Sequence, residues 1–92
     1  MDFSTALTCL KMGDAVARHG WNGKGMFLYL VNAGSYPAYS AVAKRHWGDD
    51  GIVPYTPYIA IKSVSGMVSP WVASQTDLLA DDWITVKEHE NG

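Results

Sequence analysis

The chain has 92 residues, 48% of them hydrophobic and 17% charged, with four Trp, five Tyr and a net charge of −2 at pH 7. That length holds one small domain, taken as residues 1–92, and so apolar a chain is a poor candidate for disorder. The near-neutral balance lacks the basic footprint of a nucleic-acid polymer binder, and no apolar run approaches the ~18 residues of a membrane span.

In chain order, Asp2 to Thr5 offer capping side chains, and Phe3, Ala6, Leu7 and Leu10 repeat at i, i+3, i+4 and i+7. This predicts a short amphipathic helix that Gly13 ends. Ala15–Arg18 reads as extended, and His19–Gly25, with Gly20, Gly23 and Gly25, as a tight loop. Met26–Val31 is apolar on both faces and predicts a central strand. The stretch 32–56 is read as a variable insertion, broken by Gly34, Pro37, Gly48, Gly51 and Pro54. Within it the spacing of Tyr39, Val42, Ala43 and His46 predicts a short helix stopped by Gly48. Tyr58–Lys62 and Met67–Val72 predict a hairpin around Val64–Gly66, with Pro70 at an edge or a strand end. Ser74–Asp77 opens a helical turn, Trp83–Val86 is a last strand, and residues 88–92 form a polar tail expected to fray. The expected class is α+β: a short N-terminal helix and a small antiparallel sheet of about four to five strands. A domain this short buries only about 60–65% of its unfolded surface alone. Low charge and many aromatics therefore predict a homo-oligomer.

Two segments carry groups suited to binding. Arg18-His19-Gly20-Trp21-Asn22-Gly23-Lys24-Gly25 combines glycines that let backbone N–H groups converge on an anion, two cations, and an indole on which a base can stack. It matches neither a phosphate-binding P-loop nor a dinucleotide fingerprint. A strand-to-strand turn with Trp21 in the core explains the same residues. In the second segment, Ser74 and Asp77 of Pro70–Asp77 have capping-box spacing, which either simply starts a helix or presents polar groups to a ligand. Charge is unevenly spread: five cations face two acids in residues 1–48, a balance of +3, and two face seven in residues 49–92, a balance of −5. An anionic small molecule would be drawn to the first half.

Catalytic, metal and cofactor signatures are lacking. Cys9, the single cysteine, excludes an intramolecular disulfide and reads as a small buried hydrophobe. His19, His46 and His89 share no metal-ligating spacing, and Asp81-Asp82 reads as a solvated turn. No secretion signal opens the sequence, and a reducing cytosol is the expected compartment.

Four segments together resemble a known family. These are F-x-x-A-L-x-x-L-K-x-G (Phe3–Gly13), R-x-G-W-N-G-K-G-M (Arg18–Met26), P-Y-I-x-x-K (Pro57–Lys62) and P-W-x-A-S-Q-T-D-x-L-A-x-D-W (Pro70–Trp83). In this order the chain resembles the small phage proteins of the Thoeris anti-defence family, second type. The resemblance implies a non-enzymatic sponge in the cytoplasm of the infected bacterial host. Such a protein holds a cyclic nucleotide immune signal intact, a glycocyclic ADP-ribose made by a TIR-domain protein, and in some relatives cyclic dinucleotides as well. It further implies a homotetramer with pockets between protomers. Carried over by position, Trp21, Asn22 and Trp71 would contact adenine or ribose. Ser74, Gln75, Thr76 and Asp77 would add polar contacts, and Gly23, Lys24 and Gly25 would face the pyrophosphate. Two other functions stay open on the residues alone: a nucleotide-cleaving or nucleotide-modifying enzyme using Asp77 or Asp82, and a structural or regulatory phage protein acting through protein contacts.

Overall fold

The computed structural model describes residues 1–21 and 25–87. Helix α1 (Phe3–Lys11) begins where the Asp2 carboxylate accepts the Thr5 N–H at 2.9 Å, and that bond holds the Asp2 pKa below its ordinary value. Gly13, at φ +97°, follows its last turn in the left-handed region. One stripe of α1, Ala6 and Leu10, is fully buried against Val16, Leu28 and Trp83, with Phe3 and Leu7 beside them.

The main sheet is built from β1 (Ala15–Arg18), β2 (Phe27–Val31), β5 (Tyr58–Lys62), β6 (Val68–Pro70) and β7 (Trp83–Val86). All pairings are antiparallel and the order is β6-β5-β2-β1-β7, so the doubly apolar β2 is central, as its sequence requires. β6 is shorter than the expected 67–72. Pro70 ends it on an edge of the sheet, where a missing N–H leaves no ladder bond unmade. Short α3 (Gln75–Leu79) precedes β7.

Alternation along these strands gives the sheet two apolar faces. One carries Val16, Leu28, Ile59, Ile61 and Trp83 and is covered by α1. Cross-strand register puts Ala15, Ala17, Phe27, Tyr29, Val31, Ala60, Lys62 and Val68 on the other. On that second face α1 is absent, and a cavity of about 370 Å³ lies among Ala15, Phe27, Tyr29, Lys62 and Val68.

The insertion between β2 and β5 holds elements that its composition obscured. Strands β3 (Gly34–Pro37) and β4 (Ile52–Tyr55) pair as a separate two-stranded ribbon, with α2 (Ala41–Trp47) between them. Pro37 and Pro54 argued against strands, but a two-stranded ribbon consists of edges only, and an edge tolerates a missing donor. The expected helix starts two residues after Tyr39, because the Ser40 hydroxyl accepts the Ala43 N–H at 3.1 Å and caps it. Gly51 is obligatory in this turn, since a Cβ there would lie 2.0 Å from the Trp47 carbonyl oxygen. α2 buries none of its residues, and the arm contributes to a long molecule of 45 × 26 × 22 Å.

Because Leu10 is fully buried beneath the sheet, Leu10→Ala is expected to lower unfolding free energy by about 2–5 kcal/mol. Chemical denaturation followed by circular dichroism measures it; a loss under 1 kcal/mol (roughly a tolerated surface change) would place Leu10 outside the core.

Candidate functional site

Trp83 is 1% exposed and is the hub of an aromatic cluster. Its ring meets Trp21 at 5.5 Å and 77°, Trp71 at 6.0 Å and 86°, and Phe3 at 5.2 Å. The two edge-on tryptophan contacts are favoured by the ring quadrupoles, and Phe3 packs at a tilt of 59°. Its indole Nε1–H donates to the Asp77 carbonyl oxygen at 3.0 Å, and its backbone N–H to the Met1 carbonyl. Two sequence-distant candidate residues, Trp21 and Trp71, are thus mounted on one buried ring, each half-buried and still partly accessible.

The start of α3 is joined to the same cluster. Ser74 Oγ accepts the Asp77 N–H at 3.0 Å and the Ser74 N–H donates to Asp77 Oδ2 at 3.3 Å, a complete capping box. Asp77 Oδ1 accepts from Arg18 Nη1 at 2.9 Å, while Arg18 Nε donates to Asp82 Oδ1 at 2.9 Å. Asp82 Oδ2 in turn accepts the Gly20 N–H at 3.0 Å. The Arg18, Asp77 and Asp82 side chains are 19%, 16% and 30% exposed.

Two expectations are corrected here. Asp82 does not sit in a solvated turn: its carboxylate faces inward, because the arginine opposite β7 and the Gly20 N–H offer it donors. Arg18 is not a cation open to a ligand anion, since two carboxylates neutralise it and leave the trio at −1.

The carboxyl groups respond as expected. Burial pushes Asp77 up, but hydrogen bonds from Arg18 and Ser74 outweigh it and hold the group below its ordinary pKa. For Asp82 the Arg18 hydrogen bond is the largest effect, and with the Gly20 N–H it lowers the pKa despite desolvation. The same contacts, Asp82 first, raise Arg18.

Of the residues proposed from sequence, the structure brings Trp21, Trp71, Ser74 and Asp77 into one network. Gln75 and Thr76 lie exposed in the first turn of α3. Gly25, at φ +81°, stands at the approach to β2, where its carbonyl accepts from Lys62 Nζ at 2.9 Å; that ammonium also lies 5.4 Å from the Phe27 ring centroid. Asn22, Gly23 and Lys24 lie outside the described residues, as do His89 and the rest of the tail. Cys9 is half-buried rather than buried. Sequence reasoning left Trp83 out of the ligand site and named Asp82 only as a carboxylate of the enzymatic alternative. Their spacing from Asp77 was visible, but the pairing of β7 with β1, which sets Trp83 opposite Arg18, was not.

Among the described residues no group of three His, Cys, Asp or Glu could hold a metal, and no helix is long and apolar enough to cross a membrane. The fold and site define a small α+β protein in which two partly accessible tryptophans and one capped helix start are joined through the buried Trp83. The chain belongs to the Thoeris anti-defense 2-like family, whose domain model matches residues 1–86. It is 37% identical over 83 residues to the protein named Thoeris anti-defense 2 of Bacillus phage SP01, covering 90% of this chain and 91% of that one.

The depressed carboxyl values fix the sign of a pH effect. Stability contributed by Asp77 and Asp82 is complete above the ordinary carboxylate pKa of about 3.9 and is lost as pH falls through their lower native values. Thermal midpoints at pH 7 and pH 2.5 (roughly the two ends of that window) are expected to fall less for Asp82→Asn than for wild type. Equal falls would mean that Asp82 carries no such linkage.

Proposed function

We propose that the protein is a phage anti-defence sponge that binds a cyclic nucleotide immune signal and holds it without breaking a bond. Membership of the Thoeris anti-defense 2-like family supports an action against Thoeris defence in the infected host. The observation that carries the binding reading is the mounting of Trp21 and Trp71 on Trp83 beside the capped start of α3. Trp21 and Trp71 supply rigid aromatic surface for adenine, and rings already fixed by packing lose little entropy when a ligand arrives. Ser74, Gln75 and Thr76, exposed at the start of α3, carry groups able to bond ribose hydroxyls. Asp77, each oxygen of which accepts one bond, from Arg18 or Ser74, keeps acceptor capacity for a polar contact to the ligand. Asn22, Gly23, Lys24 and Gly25 keep their roles toward ribose and pyrophosphate as part of this proposal.

Glycocyclic ADP-ribose is the ligand that the family resemblance favours, with cyclic dinucleotides as a second class. Sequestration requires affinity rather than turnover. Nanomolar capture corresponds to about −12 kcal/mol, and stacking supplies roughly 1–3 kcal/mol per base. The remainder falls to charge-assisted hydrogen bonds in an enclosed pocket. The enzymatic alternative gains no support from the carboxylates it would use. Asp77 and Asp82 are hydrogen-bonded to Arg18 and shifted away from neutrality, whereas a general acid or base works best with a pKa near the operating pH.

Assembly into a homotetramer belongs to the same reading. The second sheet face is apolar except for Lys62, and large Phe27 and Tyr29 stand beside small Ala15, Ala17 and Ala60. The alanines are already buried within the chain, so the half-buried rings and the exposed Val68 and Ile84 are the groups that a twofold, self-complementary contact would cover. The arm offers a second apolar surface in Tyr39, Val42, Trp47 and Ile52, with Tyr39 82% exposed. A tetramer with dihedral symmetry needs two different contacts of this kind.

Two outcomes are expected. Incubation with extract of cells whose TIR protein has been activated, followed by heating and mass spectrometry of the released fraction, returns glycocyclic ADP-ribose unaltered. Trp21→Ala and Trp71→Ala each retain less of it, by about tenfold or more. Release of a cleaved product, or undiminished capture by both variants, overturns the reading. Separately, Tyr29→Glu buries a charge in the proposed sheet contact and is expected to reduce the assembly in analytical ultracentrifugation. An unchanged mass would put the interface elsewhere.

A further inference from the structure

The residue that joins the two halves of the candidate site is Arg18. A continuous set of bonds runs from Ser74 N–H to Asp77 Oδ2, from Asp77 Oδ1 to Arg18 Nη1, from Arg18 Nε to Asp82 Oδ1, and from Asp82 Oδ2 to the Gly20 N–H. The Arg18 carbonyl also accepts the Trp21 N–H at 3.1 Å. One guanidinium therefore fixes the backbone immediately before Trp21 to the cap of α3. A planar fork with separate donors suits holding two carboxylates from different segments in fixed directions. We propose that Arg18 is a positioning residue of the ligand site: through Asp82 and Asp77 it sets Trp21 against the start of α3, without itself contacting the ligand. The assignment rests on the ligand-binding reading above.

The chemistry around Arg18 supports this role over a direct one. Both of its bonded carboxylates are partly buried, and the trio has a net charge of −1, so it offers no attraction to a dianion. Removing the guanidinium leaves two carboxylates facing each other across the gap that it bridged. Their repulsion separates Gly20 and Trp21 from α3, whereas the core of Ala6, Leu10, Val16, Leu28 and Trp83 contains no part of the bridge. The binding-competent arrangement of Trp21 then becomes a minor population. A ligand that must wait for a minor population associates more slowly, in proportion to that population, but once bound leaves at its former rate. Loss of a direct contact has the opposite signature, appearing in dissociation.

The test uses the full chain, wild type and Arg18→Met, with glycocyclic ADP-ribose as the probe in stopped-flow tryptophan fluorescence. Arg18→Met is expected to slow association about tenfold and to leave dissociation within about threefold of wild type. Faster dissociation beyond that limit, alone or with slower association, makes Arg18 a direct contact and overturns the proposal; so do unchanged rates. Should wild type fail to bind the probe, the ligand reading fails, and amide hydrogen exchange decides the positioning role independently. Gly20 and Trp21 are then expected to exchange about tenfold faster in Arg18→Met, with Leu28 and Ile61 unchanged. Unchanged exchange at Gly20 and Trp21 overturns the role. Equal acceleration at all four overturns it too, by making Arg18 a general stabiliser.

Discussion

The buried indole of Trp83 is the constraint on which the rest of the structure depends. Burying so large a ring without satisfying its N–H would leave a donor unpaired at a cost of about 1–3 kcal/mol. The Asp77 carbonyl answers that need, and in doing so fixes α3 to β7. The ring edges and faces then dictate where Phe3, Trp21 and Trp71 pack, which draws α1, the end of β1 and the end of β6 to one place. Core and candidate site are consequently the same object seen from two sides. Trp21 and Trp71 belong to the packing through one part of each ring and remain accessible through another. The opposition between a core role and a binding role for Trp21 therefore dissolves.

Charge in this protein is organised locally and not by halves. A +3 balance in residues 1–48 suggested an attraction for anions, yet Arg18, one of the five cations, is neutralised by acids from the other half. What looked like two segregated populations is in part joined by bridges from Arg18 to Asp77 of α3 and to Asp82 just before β7. Lys62 illustrates the converse: it comes from the acidic half, and its ammonium meets the Gly25 carbonyl and the Phe27 ring. Among the described residues it is the cation of the second sheet face, at its end and beside apolar residues.

That second face gives physical content to the surplus of aromatic residues noted in the composition. A five-stranded sheet with one face under a helix is an ordinary way to build a small domain, and its other face is then usually polar. Here Phe27, Tyr29, Val31 and three alanines occupy it. The arm extends the apolar surface with α2, a helix that buries nothing within its own chain. Under the proposed assembly, a second copy of the chain is what covers these surfaces.

Local signals in the sequence determined most elements. The i, i+3, i+4, i+7 stripe gave α1, the doubly apolar run gave a central β2, and the S-x-x-D spacing gave the capped start of α3. Each of these rests on interactions within a few residues, which a sequence records directly. Strands β3 and β4 escaped because their prolines and glycines are tolerated only where a ribbon has no inner strand, a property of the pairing and not of either segment. Asp82 and Trp83 escaped the candidate site for a related reason: what they do depends on β7 lying antiparallel to β1 with Trp83 opposite Arg18. The sequence by itself thus determined the class of fold and singled out two segments of the candidate site. Only the tertiary structure decided that those segments meet, because their meeting requires hydrogen bonds and ring contacts between residues 59 to 64 positions apart.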